Sequence, residues 1–167
     1  MSVNFFETPC REPARNNLVF GICDDQHGSK AYTADDFFRE KWIAIVKNGQ
    51  QLEITFTPID NCIPIYKEGT GDEESTCDGM LTFSSSLFLV ELKNWGTGGW
   101  LPKAIKQLRN TIELINANHD LSVFKYKKAY ACNKKHPNFS VFDNEMRKEF
   151  FMKTKFRIDI QAEIVIK

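Results

Sequence analysis

The apolar positions change period along the chain, and each period names an element. From residue 101 they fall at Leu101, Ile105, Leu108, Ile112 and Ile115, spacings of 4, 3, 4 and 3. That rhythm predicts an amphipathic helix, with Pro102 in the first turn, where proline is tolerated, and an end near residues 116–118. Further upstream, Thr33 precedes ADDFFREKWIAIVKN, in which Phe38, Trp42 and Ile45 lie 4 and 3 apart. A threonine cap followed by acidic residues predicts a first helix, closed by Asn48-Gly49. QLEITFTPI alternates and reads as a strand. Cys77–Phe83 and Leu87–Lys93 read as two strands joined by serines, SVFKYKKAYAC as another, and FRIDIQAEIVI as a single last strand. DNEMRKEFFMKT predicts a second helix capped by Asp143. Residues 1–30, broken by Pro9, Pro13, Gly21 and Gly28, read as irregular, and KEGTGDEEST as an acidic loop. The order α-β-β-β-α-β-α-β is that of an α/β (α+β) chain, a mixed sheet with helices packed on it. Residues 1–167 read as a single domain.

One strand departs from its own pattern. Leu87-Phe88-Leu89-Val90 predicts a buried strand, yet it ends in Glu91-Leu92-Lys93. Residues two apart on a strand share a face, so Glu91 and Lys93 point together. One reading is a strand leaving the core with a surface ion pair, worth about 0–1 kcal/mol. The other reading includes Asp78, at the start of the preceding strand. Residues directly opposite in a hairpin share a face, and a slip of one residue reverses it. A three-residue turn at Ser84–Ser86 would pair residue 79 with 91 and turn Asp78 away. A two-residue turn would pair Asp78 with Glu91 (turn Ser84-Ser85) or with Lys93 (turn Ser85-Ser86).

Charge is distributed unevenly. The totals balance at 22 basic and 22 acidic residues. Residues 1–92, however, carry 7 basic against 15 acidic side chains, a balance of −8, and residues 93–167 carry 15 against 7, a balance of +8. Such asymmetry fits a polyanionic partner, and equally two solvated faces that differ. The N-terminus shows no apolar h-region, and no run approaches the roughly 18 apolar residues of a membrane span. Five scattered cysteines without a CxxC pattern are expected to be reduced thiols in a cytoplasmic protein, without a disulfide framework or structural zinc.

Two carboxylates and a lysine on one strand end have coherent chemistry. Adjacent carboxylates repel unless one is protonated or a cation sits between them. Mg²⁺ or Mn²⁺ suits oxygen ligands, and the Leu92 carbonyl could supply another. Lys93 would hold or help deprotonate a metal-bound water, or stabilise developing negative charge, a combination that fits phosphodiester hydrolysis. The motif CDG, ten residues, then VELKNW, followed by Gln107 on the next helix, resembles the PD-(D/E)xK, or restriction endonuclease-like, superfamily. The resemblance implies an αβββαβ core over about residues 33–132, with 133–167 as a C-terminal helix and strand. It implies metal binding by Asp78 and Glu91, completion of the site by Lys93, a place for Gln107 beside it, and Glu40 from the first helix as a further ligand. Cys77 stands where the family motif has proline.

The activity so implied is Mg²⁺-dependent endonuclease action on DNA, in restriction, repair or defence. Small size leaves target choice to loops, to a homodimer or to a larger complex. The alternative is a catalytically silent member of the same fold that binds nucleic acid or protein. Lys103, Lys106 and Arg109 on the helix after the site are candidate phosphate contacts. Trp95 and Trp100, which flank the glycine loop, either stack on bases or anchor that loop to the core. Lysines interleaved with aromatics in FKYKKAY suit nucleic-acid contact, and equally an edge strand guarded by charge.

Overall fold

In the computed structural model, residues 2–96, 98–137 and 144–167 are described. Nine strands and two α-helices are found among them: β1 Val19–Cys23, β2 Tyr32–Ala34, β3 Ala44–Lys47, β4 Thr55–Pro58, β5 Gly79–Phe83, β6 Ser86–Lys93, α1 Trp100–Asn118, β7 Tyr126–Asn133, α2 Asn144–Thr154, β8 Arg157–Ile160 and β9 Glu163–Val165. They form two mixed sheets, ordered β2-β1-β3-β9 and β4-β5-β6-β7-β8. Phe20, Ile22 and Val46 of the first sheet share one apolar cluster with Phe56, Leu81, Phe88 and Val90 of the second. The opposite face of the five-stranded sheet packs on α1 and α2 through Met80, Leu89, Leu108, Ile112 and Phe150. The result is three layers: helices, a central sheet and an outer sheet.

Strand β6 lies at the middle of the central sheet, antiparallel to β5 and parallel to β7. It is buried along its whole length. A strand covered on both faces reads as a continuous apolar run, as Leu87–Val90 does. Each of those side chains contributes about 1.5–3 kcal/mol by leaving water. This burial anchors the strand that carries Glu91 and Lys93. It also removes the surface ion pair reading, because both charged side chains stay inside.

Helix α1 buries Trp100, Ala104, Leu108, Thr111, Ile112 and Ile115. The expected stripe holds in its C-terminal half. In the first turns it is rotated, since Trp100 and Ala104 face inward while Leu101 and Ile105 are only half-buried. Helix α2 matches the expected segment, and its proposed cap, Asp143, lies outside the described residues.

Several expectations are corrected. The first helix does not form: Asp36–Lys41 is a 3-10 turn, capped by Asp35, and Ala44–Lys47 is strand β3. The run Ile43–Val46, β-branched at three of its four positions, pairs with β1 and β9, and this non-local pairing overrides the local helix signals. Trp42 lies flat on Gly21, where a Cβ would come within 2.0 Å of its ring. That contact explains the glycine in β1, a strand the punctuation of residues 1–30 had hidden. FRIDIQAEIVI is two strands, β8 and β9, in different sheets. Cys10 and Cys62 form a disulfide across a separation of 52 residues, so the expectation of reduced thiols holds only for Cys23, Cys77 and Cys132. No helix among the described residues is long and apolar enough to cross a membrane.

Candidate active site

The serine turn decides the register. Phe83 pairs with Ser86 and Gly79 with Val90, so the turn is Ser84-Ser85, and one step further Asp78 stands opposite Glu91. Ser84 takes φ of 48°, the left-handed backbone that two-residue hairpin turns use at their first central position. Asp78, Glu91 and Lys93 therefore share the face that looks at α1. The side of the hairpin toward β4 is equally tight, since a Cβ on Gly79 would meet the Phe56 ring at 2.4 Å.

All three charged residues are buried, with 8%, 2% and 7% of their surface exposed. Lys93 Nζ lies 2.9 Å from Glu91 Oε2 and donates to Gln107 Oε1 at 2.8 Å. Its ammonium also sits 5.2 Å from the centre of the Trp95 ring. Asp78 Oδ2 accepts the Leu92 N–H at 2.7 Å. The N–H and C=O of one antiparallel strand residue point to the same side, so the Leu92 carbonyl also faces the β5 side. Glu91 Oε1 is buried without a hydrogen-bond partner. A buried, unsatisfied carboxylate oxygen is costly, and it marks where a cation or proton belongs.

The electrostatics agree. Burial holds the Asp78 carboxyl well above the ordinary carboxylate range and Glu91 pushes it further, against the pull of the Leu92 N–H. Burial raises Glu91 to about 7, opposed chiefly by Lys93. Both carboxyls are thus shifted toward the protonated form. Asp60, just beyond β4, is raised by burial and by Asp24 and Glu73, with Lys93 acting the other way. Acidic groups thus outnumber the one buried lysine, a field that draws cations.

The arrangement is a carboxylate pair rather than a larger cage: among the described residues, no group of three or more His, Cys, Asp or Glu side chains could hold a metal ion. A pair supplemented by a carbonyl fits Mg²⁺, which binds through one or two carboxylates and keeps several waters.

Of the other sequence candidates, Gln107 is in place through its bond to Lys93, and its amide donates to the Thr76 carbonyl at 3.4 Å. Glu40 is not brought in. It is exposed on the 3-10 turn, and its backbone carbonyl accepts a hydrogen bond from Lys134. Lys103 and Lys106 are exposed and Arg109 half-buried along a cavity of about 720 Å³ that Gln107 also lines. Trp95 is 39% exposed and stands between the ammonium groups of Lys93 and Lys103, each 5.2 Å from its ring. Trp100 is buried, which makes it an anchor for the loop and removes it from the binding surface.

Three supporting residues went unnoticed in the sequence. Thr111 Oγ1 accepts the Cys77 N–H at 2.7 Å and donates to the Gln107 carbonyl at 2.7 Å, tying the residue before Asp78 to the helix that carries Gln107. Its signal was a polar residue directly beside the apolar stripe. Asn133 is fully buried and clamps the loop after Lys93 by bonds to the Trp95 backbone. Asp60 was legible only as the residue after a strand. Compared with known proteins, the chain matches no family model, no curated protein and no solved structure.

Proposed function

We propose that this chain is a metal-dependent nuclease that hydrolyses phosphodiester bonds in DNA on the PD-(D/E)xK plan. One observation carries the reading: Asp78 faces Glu91 across a hairpin, Lys93 sits on the same buried strand end, and Glu91 Oε1 has no partner. The connectivity supports it. Strands β4, β5 and β6 form an antiparallel meander, α1 follows, and β7 returns parallel to β6, the βββαβ part of the implied core. The 3-10 turn at Asp36–Lys41 stands where the implied first helix would be, which leaves that helix and its Glu40 ligand out of the proposal.

Asp78, Glu91 and the Leu92 carbonyl would hold Mg²⁺ or Mn²⁺. Such an ion, when bound, polarises a phosphoryl oxygen and lowers the pKa of a water. Lys93, aimed by Glu91 and Gln107, places a fixed positive charge beside the reacting phosphate, and preorganised charge of this kind is worth more in a dry site than in water. Lys103, Lys106 and Arg109 line the approach and contact neighbouring phosphates, with Trp95 at the rim. A cytoplasmic setting belongs to the same reading; the Cys10–Cys62 disulfide pulls against it, because stable disulfides are rare in reducing compartments.

The test is incubation with plasmid and single-stranded DNA in Mg²⁺ or Mn²⁺, then in EDTA. Cleavage that EDTA stops and Lys93→Ala abolishes supports the proposal. Cleavage indifferent to Lys93→Ala and Glu91→Ala places the activity elsewhere. Salt-sensitive DNA binding without cutting assigns the chain to the silent binding class.

A further inference from the structure

We propose that the groove around the outer edge of β8 is a second nucleic-acid contact, which takes single-stranded nucleic acid by phosphate and base together. It rests on the nuclease reading only for the class of ligand. Two cavities meet at this edge: one of about 410 Å³ between α2 and β8, and one of about 620 Å³ over the ends of β6 and β7. Both are lined by Lys128 and Asp159.

The charge is unbalanced in a specific way. Asp159 is held by Lys128 and Arg147, each at 3.2 Å. Lys148 and Arg157 line the same cleft, and neither has a carboxylate partner among the described residues. Aromatic rings lie open beside these cations. Phe151 is 39% exposed, with Lys155 and Arg157 over its ring at 5.8 and 5.6 Å. Tyr126 is 54% exposed, with Lys125 at 5.4 Å.

Charges alone would be explained as protection of a sheet edge against aggregation. Protection of that kind gives no reason to expose rings among the cations. Cations with stackable rings are how proteins hold single strands, since each phosphate finds a charge and each base a π-face. Duplex DNA offers the phosphates but keeps its base faces stacked, so the rings select the single strand. Arg157 pairs with Lys128 and Lys128 with Phe88, three residues before Glu91. Phe88, Lys128 and Arg157 are on the sheet face turned away from Glu91, so this contact lies around the sheet edge from the metal site.

Fluorescence anisotropy of the full chain with an oligothymidylate and with a duplex of equal length, both in EDTA, tests the groove without the metal site. The double variant Lys148→Glu with Arg157→Glu is expected to weaken single-strand binding at least tenfold and to flatten its salt dependence by a slope of roughly 1.4, for two phosphate contacts. Phe151→Ala with Tyr126→Ala is expected to weaken single-strand binding several-fold and leave duplex binding unchanged. Wild-type binding by both variants, duplex held as tightly as single strand, or equal competition by polyglutamate would each overturn the proposal. Failure of cleavage elsewhere leaves this result untouched, whereas unchanged binding beside intact cleavage removes the groove alone.

Discussion

Raising the pH without metal should destabilise this protein, and the size follows from Glu91. Its folded pKa is raised from 4.5 to about 7, so near neutrality the folded state keeps a proton the unfolded chain has released. For a carboxyl shifted upward, this stability is fully present below the unfolded value and is lost as pH rises through about 7. At about 1.4 kcal/mol per unit, the whole window is worth about 3 kcal/mol, of which about 2 kcal/mol falls between pH 5.5 and 8. Glu91 is 2% exposed, so solvent screening does not discount the figure, and Asp78 shifts in the same direction. In a domain of this size the difference corresponds to roughly 4–8 °C in Tm. The assay is calorimetry in EDTA at the two pH values, on the wild type and on Asp78→Asn combined with Glu91→Gln, with the disulfide intact. The wild type should melt lower at pH 8 by that margin, and the double variant should lose most of the difference. An equal pH dependence in both proteins, or a wild type more stable at pH 8, would refute the reasoning.

Thr111→Val keeps the shape but leaves the buried Cys77 N–H unpaired, which should cost about 1–3 kcal/mol in urea unfolding; an unchanged midpoint would show that the strand end does not depend on it. Removing the disulfide by Cys10→Ser with Cys62→Ser opens a 52-residue closure and should cost about 4 kcal/mol, read as the same loss on reducing the wild type. Gly21→Ala pushes a methyl into the Trp42 ring and should cost about 1–3 kcal/mol, and wild-type stability would mean that Trp42 moves aside.

What could be read from the sequence was what local periodicity determines. The helix from Leu101 to Ile115, the buried run of β6 and the hairpin before it follow from spacing alone, and with them came Asp78, Glu91 and Lys93 as one group, which Gln107 joined through the family resemblance. The register did not, because it depends on which two serines turn, and Ser84 at φ 48° settles that only in the fold. The segment after Thr33 misled because Phe38, Trp42 and Ile45 mimic a helical stripe; Trp42 and Ile45 instead cover the outer face of a sheet whose strands come from distant parts of the chain. Thr111, Asn133 and the Cys10–Cys62 bond are long-range contacts with no local pattern to announce them.

The central claim is that Asp78 and Glu91 hold a divalent cation in place of a proton. Isothermal titration of Mn²⁺ at pH 7, repeated in two buffers of different ionisation enthalpy, measures that exchange directly. The account predicts one ion bound with release of about one proton, tighter binding as pH rises, and loss of the site in Asp78→Asn with Glu91→Gln. An absence of Mn²⁺ binding, or binding that survives the double substitution, would contradict it.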